Sequence, residues 1–273
     1  MEYRALGRTG LKAERILGQA LRELGYPREE LVVSTKLFFG TASLGRLGMS
    51  HVDVLFCHRS DPDTPVEETV RAMNWVIDQG LAHYWGTSEW PEERIEEAWA
   101  VADRLGLIGP ACEQPEYNLF HRKRVEEEYA PLYDLRGTGL TTWSPLASGV
   151  LTGKYSGGAM PEGTRMQLER YKASGRAEAH SCNTQHLAQK ELVEKRHQLD
   201  LVDRLKPIAE ELGCSLAQLS LAWCAHNPHV STVITGATSL KQVDENMGAL
   251  PVIAKLTPDV LTHIESIVGR HAD

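Results

Sequence analysis

Apolar residues alternate along this chain between a helical and a strand period, and the alternation predicts most of its elements. Ile16, Leu17, Ala20, Leu21 and Leu24 fall at helical spacing between Ala13 and Gly25, where a glycine marks the stop. Glu30 to Phe38 carries Leu31, Val32, Val33, Leu37 and Phe38 and predicts the first strong buried strand, and Val52 to His58 predicts the next. Thr64-Pro65-Val66-Glu67 has the form of an N-cap, a proline at the first helical position and a capping-box glutamate, opening a helix that runs to Gly80. The same rhythm gives strand Ala82–Ser88, helix Pro91–Leu105 closed by Gly106, strand Ala111–Gln114, a helix around Arg124–Leu135 and strand Gly139–Trp143. Further on, the spacing predicts helices over Val202–Leu212 and Ser215–His226, with Pro207 bending the first or marking its start. Strand Ser231–Thr235 and helices Leu240–Met247 and Pro258–Val268 complete the series.

Three stretches break the rhythm. Residues 1–12 suggest a short hairpin with Gly7-Arg8-Thr9-Gly10 as its turn. Residues 39–51 are glycine-rich, and Ala42–Leu47 is too short for a stable crossover helix. Residues 156–198 are polar with little period and are expected to form a long, partly mobile loop. Strands alternating with helices call for a parallel sheet or barrel built by right-handed crossovers. About six such strands can be counted, whereas a closed (β/α)8 TIM barrel has eight, so an open doubly wound sheet is the alternative. No GxGxxG follows the first strand, which removes the usual dinucleotide fingerprint of such a sheet.

Composition adds limits rather than detail. The 273 residues allow one large domain, such as an α/β barrel, or two small ones, and 42% hydrophobic with 24% charged residues leave ample material for a core. A net charge of −8 argues against nucleic acid or an anionic membrane surface as partner. The five cysteines are scattered without metal-ligand spacing, as reduced thiols in a cytosolic protein would be. No apolar run is long enough to insert directly into a membrane, and no targeting leader is evident.

Candidate chemistry lies at the carboxyl ends of the strands: Lys36, His58, Ser88, Gln114, Trp143-Ser144 and Gly236-Ala237-Thr238. In a barrel these ends share one rim. Lys36 could lower the pKa of a neighbouring hydroxyl and His58 could orient or protonate a carbonyl oxygen. Taken singly, each reads more readily as a solvated lysine or a satisfied histidine; the array is what counts. The stretch from Thr141 to Tyr155 leaves a strand into small, hydroxyl-bearing residues, where a flat or charged ligand can approach the backbone and Lys154 can meet a phosphate. Trp143 could stack on a ring. Arg165 flanks the long loop, and Gln242, Glu245 and Asn246 sit near a helix start that favours anions.

Together these residues resemble the aldo-keto reductase superfamily, and within it the voltage-gated potassium channel β subunits, especially the plant type. The resemblance rests on Tyr3 to Gly7, Ser34-Thr35-Lys36, Pro65 to Gly80, Tyr84 to Trp90, Glu113 to Tyr117, Thr141 to Tyr155, Leu221 to Cys224 and Ile234 to Thr238. It implies one domain over residues 1–273, a (β/α)8 barrel binding NADPH at its rim. The nicotinamide would lie near Ser88, Gln114 and Trp143. Ser144, Pro145, Leu146, Ser148 and Lys154 would line the pyrophosphate, and Arg165, Gly236, Thr238, Gln242, Glu245 and Asn246 the adenosine end. Lys36 matches the catalytic lysine, and His58 a position where enzymatic members carry histidine and animal channel β subunits asparagine. The resemblance further implies a small aldehyde or ketone as substrate, a homotetramer, and docking on the cytoplasmic domain of a channel α subunit.

Two departures from the family bear on function. Between Lys12 and Ala13 the family carries the first barrel strand, its helix, the second strand and the catalytic aspartate and tyrosine, and this chain has no such segment. Between Phe39 and Ala42 the start of a crossover helix is also missing, while Ser174 to Gln189 reads as an insertion. The expectation is therefore an incomplete barrel, a truncated β subunit with impaired carbonyl reduction. A stand-alone NADPH-dependent carbonyl reductase and a non-catalytic regulatory fragment are the alternatives.

Overall fold

A computed structural model describes residues 6–37, 43–156 and 184–269. The chain divides into two compact units, one comprising the residues up to Pro115 together with Pro131–Gly139, the other Glu116–Ala130 and Leu140 onward.

In the first unit, helix α1 (Leu6–Leu24) leads into strand β1 (Ser34–Leu37) and the short helix α2 (Ser43–Leu47). Strand β2 (Val52–Cys57), helix α3 (Val66–Asp78), β3 (Ala82–Thr87), α4 (Glu92–Leu105), β4 (Cys112–Glu113) and α5 (Ala130–Arg136) follow. Strands β1 to β4 pair in sequence order and in parallel. The core forms where helical and strand periods meet: Val66, Val70 and Met73 of α3 and Ala98, Val101 and Ala102 of α4 pack with Val52, Leu55, Ala82 and Trp85. Helix α4 ends as its sequence suggests, with Gly106 at φ 65° and the Leu107 amide bonded back to Ala102.

Asn74 shows how a polar residue is built into this core. Its side-chain amide donates to the carbonyls of Val70 and Ile108, both at 2.9 Å, and its Oδ1 accepts the Ile108 amide at 2.8 Å. Trp85, fully buried, also donates to the Ile108 carbonyl at 2.8 Å. Asn74→Ala would strand the Ile108 amide, and we expect a loss of about 1–3 kcal/mol, read as a shifted urea midpoint at unchanged slope.

The second unit holds a π-helical turn (Arg124–Glu128), strand β5 (Gly139–Thr142), a 3₁₀ segment (Ala147–Thr152), α6 (Thr184–Glu211), α7 (Leu216–His226), β6 (Val230–Val233), α8 (Leu240–Met247), α9 (Leu250–Ile253) and α10 (Pro258–Val268). Strands β5 and β6 are parallel with a bulge between Leu140 and Thr141. Helix α7 is apolar on all sides and buried along most of its length, and it starts with a full capping box between Ser215 and Gln218. Arg122 is buried against Trp223 and held by Glu126 and Glu265, so the charge is paired where it is dry.

Six parallel strands alternating with helices among the described residues match an incomplete (β/α)8 barrel, as the strand count suggests. Several details differ from the sequence reading: β1 begins only at Ser34, since Glu30 closes a 3₁₀ turn, and the helix expected around Arg124–Leu135 is a π-helical turn followed by α5. The expected hairpin turn at Gly7–Gly10 lies inside α1, because an isolated two-stranded hairpin has little to stabilise it while the amphipathic pattern downstream extends a helix already begun. Residues 1–5 lie outside the description. Ser43–Leu47 is helical despite its length, since Gly18 of α1 lies against the Leu47 backbone, Arg22 donates to the Leu47 carbonyl at 3.1 Å and Arg46 pairs with Glu14. Residues 184–198, read as loop, belong to α6, which also absorbs Pro207 without a break; residues 157–183, Arg165 and Cys182 among them, are outside the description. Finally, α3 has no side-chain cap: the Thr64 hydroxyl donates to Asp61 and Glu67 pairs with Arg71 and Arg104.

Candidate functional site

Register places the candidate residues of the first unit. Lys36 pairs with Phe56, Phe56 with Gly86 and Gly86 with Cys112, so His58, Ser88 and Gln114 emerge together just past the carboxyl ends of their strands, with Lys36 two register positions earlier near the end of β1. The backbone continues the ladder past the strands, with the Ser88 amide bonded to Cys57 at 3.0 Å and the Gln114 amide to Thr87 at 2.8 Å. Side chains then link three strand ends. The Lys36 ammonium donates to Ser88 Oγ at 3.0 Å, and that hydroxyl donates to the Gln114 carbonyl at 2.8 Å. Arg59 donates to the Ser88 carbonyl at 3.4 Å.

Burial and neighbouring charge tune these groups. Lys36 is lowered to about 8, first by burial and then by the Arg59 guanidinium. His58 is lowered to about 4 by burial and by the fields of Lys36 and Arg59, so it is a neutral imidazole at pH 7. Glu113 is fully buried and raised to about 7 by that burial, although it accepts from the Thr87 hydroxyl and the Glu89 amide, and hydrogen bonding from the Trp90 amide also favours its charge. Shifts of this size concentrated in one place mark a site able to handle protons. Sequence reading found Lys36, His58, Ser88 and Gln114; it missed Arg59 and Glu113. Their signal was adjacency to residues already singled out.

In the second unit, Trp143 to Lys154 forms a tight loop. Its turns come from unusual backbone: Ser144, Ala147, Ser148 and Gly149 all have positive φ, at 58°, 46°, 56° and 92°. The strain is held by neighbours. The Ser144 carbonyl accepts the Ala147 amide at 2.9 Å and Asn118 Nδ2 at 3.1 Å, while the Leu146 carbonyl accepts the Gly149 and Leu151 amides. Pro145 is buried, and Ser144, Leu146 and Ser148 are half-buried. Lys154 lies 5.1 Å over the Tyr155 ring, and a Cβ on Gly149 would come within 2.8 Å of its ammonium, so glycine is what lets that charge lie against the loop. The run from Trp143 to Tyr155 contains hydroxyls and a cation but no carboxylate. Such a donor set suits an anion.

The remaining candidates gather after β6. Thr238 donates through its amide and its hydroxyl to Gln242 Oε1, at 2.7 and 3.1 Å, and Asn246 Nδ2 donates to the Gly236 carbonyl at 3.5 Å. Ser239 caps α8 by accepting the Gln242 amide. Glu245 accepts from Gln218 Nε2 at 3.0 Å through its backbone carbonyl. Gln242 and Asn246 therefore shape the loop at the head of α8. No helix among the described residues is long and apolar enough to cross a membrane.

Comparison with known proteins identifies the family. The Aldo/keto reductase family matches residues 10–268. A probable voltage-gated potassium channel subunit beta of Oryza sativa subsp. japonica is 56% identical over 275 residues, covering 94% of this chain and 79% of the relative. Its namesake in Arabidopsis thaliana is 54% identical over 275 residues with the same coverage. A putative subunit of the same kind in Schizosaccharomyces pombe is 41% identical over 277 residues, covering 94% of this chain and 76% of the relative.

Proposed function

Because this chain belongs to the aldo/keto reductase family, we propose that it binds NADPH and acts as a cytoplasmic β subunit of a voltage-gated potassium channel, with the family's carbonyl reduction impaired. The observation that carries the cofactor reading is the hydrogen-bonded chain from Lys36 through Ser88 to Gln114, which joins strand ends far apart in sequence. In the first unit, Ser88 and Gln114 would hold the carboxamide of the nicotinamide. In the second, Ser144, Leu146, Ser148 and Lys154 would hold the pyrophosphate, a role that the absence of carboxylates from Trp143 to Tyr155 supports. Gly236, Thr238, Gln242, Glu245 and Asn246, with Arg165, would meet the adenosine end. When bound, NADPH supplies a hydride for an aldehyde or ketone. His58, neutral at pH 7, is suited to orient the carbonyl oxygen, and Lys36 holds positive charge beside it.

The channel role is supported by the names of the plant and yeast relatives. Co-purification with the cytoplasmic domain of a channel α subunit tests it, and a clean failure to associate would sink it. Should NADPH binding survive that failure, a carbonyl reductase without a channel partner becomes the reading, favoured by the tuned pair Lys36 and His58. Titration of NADPH fluorescence is expected to saturate; a linear response would overturn the cofactor assignment. Lys154→Ala is expected to weaken binding roughly tenfold, the loss of one charge-assisted contact to phosphate.

A further inference from the structure

Glu113 is a carboxylate with no exposure at all, placed immediately before Gln114 and outside the set of residues assigned to the cofactor. Burying such a group is costly unless its hydrogen bonds are made. Here they come from one short turn: the Thr87 hydroxyl and the Glu89 amide donate to it, and the Trp90 amide adds its hydrogen bond. Ser88 lies in the middle of that turn. Glu89 has φ 59°, a left-handed conformation that a non-glycine residue keeps only when its surroundings hold it.

We propose that Glu113 is a positioning residue: it clamps the Thr87–Trp90 turn from inside and thereby aims Ser88 Oγ between the Lys36 ammonium and the Gln114 carbonyl. The role rests on the NADPH reading, because an aimed Ser88 matters to function only if that strand end receives the nicotinamide. The charged and titratable groups facing Glu113 include Lys36 from β1, Glu89 from the turn itself and Cys112 from its own strand. Ionised, the carboxylate accepts from all three donors. Protonated, it must turn an O–H toward them and gives up a bond. Burial sets the Glu113 titration at about 7, so as pH falls through neutrality the turn gives up a hydrogen bond and its aim while the fold is relieved of a buried charge.

Glu113→Gln mimics the protonated state in size and polarity. NADPH fluorescence titrations of the full chain and this variant at several values between pH 6 and 8.5, with hydrogen exchange of the Glu89 and Trp90 amides, test the proposal. At pH 8 the variant should melt cooperatively, bind NADPH about tenfold more weakly and exchange those amides about tenfold faster. The ratio of the two affinities should shrink as pH falls through 7, since the wild-type residue then becomes neutral too. Wild-type affinity in the variant, or a ratio that ignores pH, overturns the positioning role even if exchange quickens. If the wild-type chain never saturates with NADPH, the cofactor reading falls and the positioning role with it. Unchanged exchange would then show that the clamp itself is absent.

Discussion

Alanine at position 86 is expected to cost the first unit about 3 kcal/mol or more, among the larger effects open to a single added methyl group. Gly86 sits in β3 between two paired neighbours, Phe56 on β2 and Cys112 on β4. A Cβ there would lie 2.6 Å from the Cys112 carbonyl oxygen, 2.8 Å from its sulfur and 2.9 Å from the Phe56 ring. The oxygen belongs to the backbone of a paired strand and cannot swing away. Relief requires β3 and β4 to part, which would also break the step from Thr87 to Glu113 on which Ser88 and Gln114 depend. Urea denaturation of wild type and Gly86→Ala checks this. A loss under about 0.5 kcal/mol, the ordinary scale of a tolerated surface change, would show that the strand end has more room than its packing implies.

Carbonyl reduction by this chain is expected to run about 10²–10⁴ below that of full-length relatives, the usual worth of a positioned general acid. The expectation rests on the proposed truncation: by the family resemblance, the catalytic aspartate and tyrosine would belong to a segment that this chain lacks between Lys12 and Ala13. What remains at the strand ends is Lys36 at about 8 and His58 at about 4. At pH 7 the histidine is already neutral, so its remaining ring N–H can donate a hydrogen bond but is far too weak an acid to transfer, and Lys36 is the tuned acid of the pair. Any residual rate should therefore fall as pH rises through about 8, where the ammonium is lost, and Lys36→Met should abolish it. Steady-state reduction of an aldehyde with NADPH across pH 6–9.5 measures both features. A rate equal to that of the relatives would overturn the claim of impairment.

How far the chain could be read in advance depended on whether local signals agreed with long-range ones. Helices α8 and α10 are found over the very residues their sequence predicts, because Ser239 and Thr257 each cap their first turn from within the segment. Strands β2 and β3 were legible for a similar reason: β-branched and aromatic runs between turn residues have few other uses. α1 was half read, since Gly7 and Gly10 signalled a turn that the helix overrode. α6 was misread over its first half because polar residues without a clear apolar stripe look alike in a helix and in a loop.

The candidate site divides along the same line. Lys36, His58, Ser88 and Gln114 were found as polar residues ending apolar strands, a pattern carried by each strand alone. Their joining was not. Only the parallel register sets Lys36 within 3.0 Å of Ser88 across fifty-two positions of chain. Glu113 lay further still from view, because a glutamate at a strand end reads as a solvated charge until the tertiary structure shows it dry and bonded to one turn. The sequence by itself determined the alternation of strands and helices, the caps and the residues available at each strand end, since those follow from short-range sterics and periodicity. The tertiary structure decided which of those residues share a proton, a turn or a charge, because desolvation and hydrogen-bond geometry arise only when distant segments are packed together.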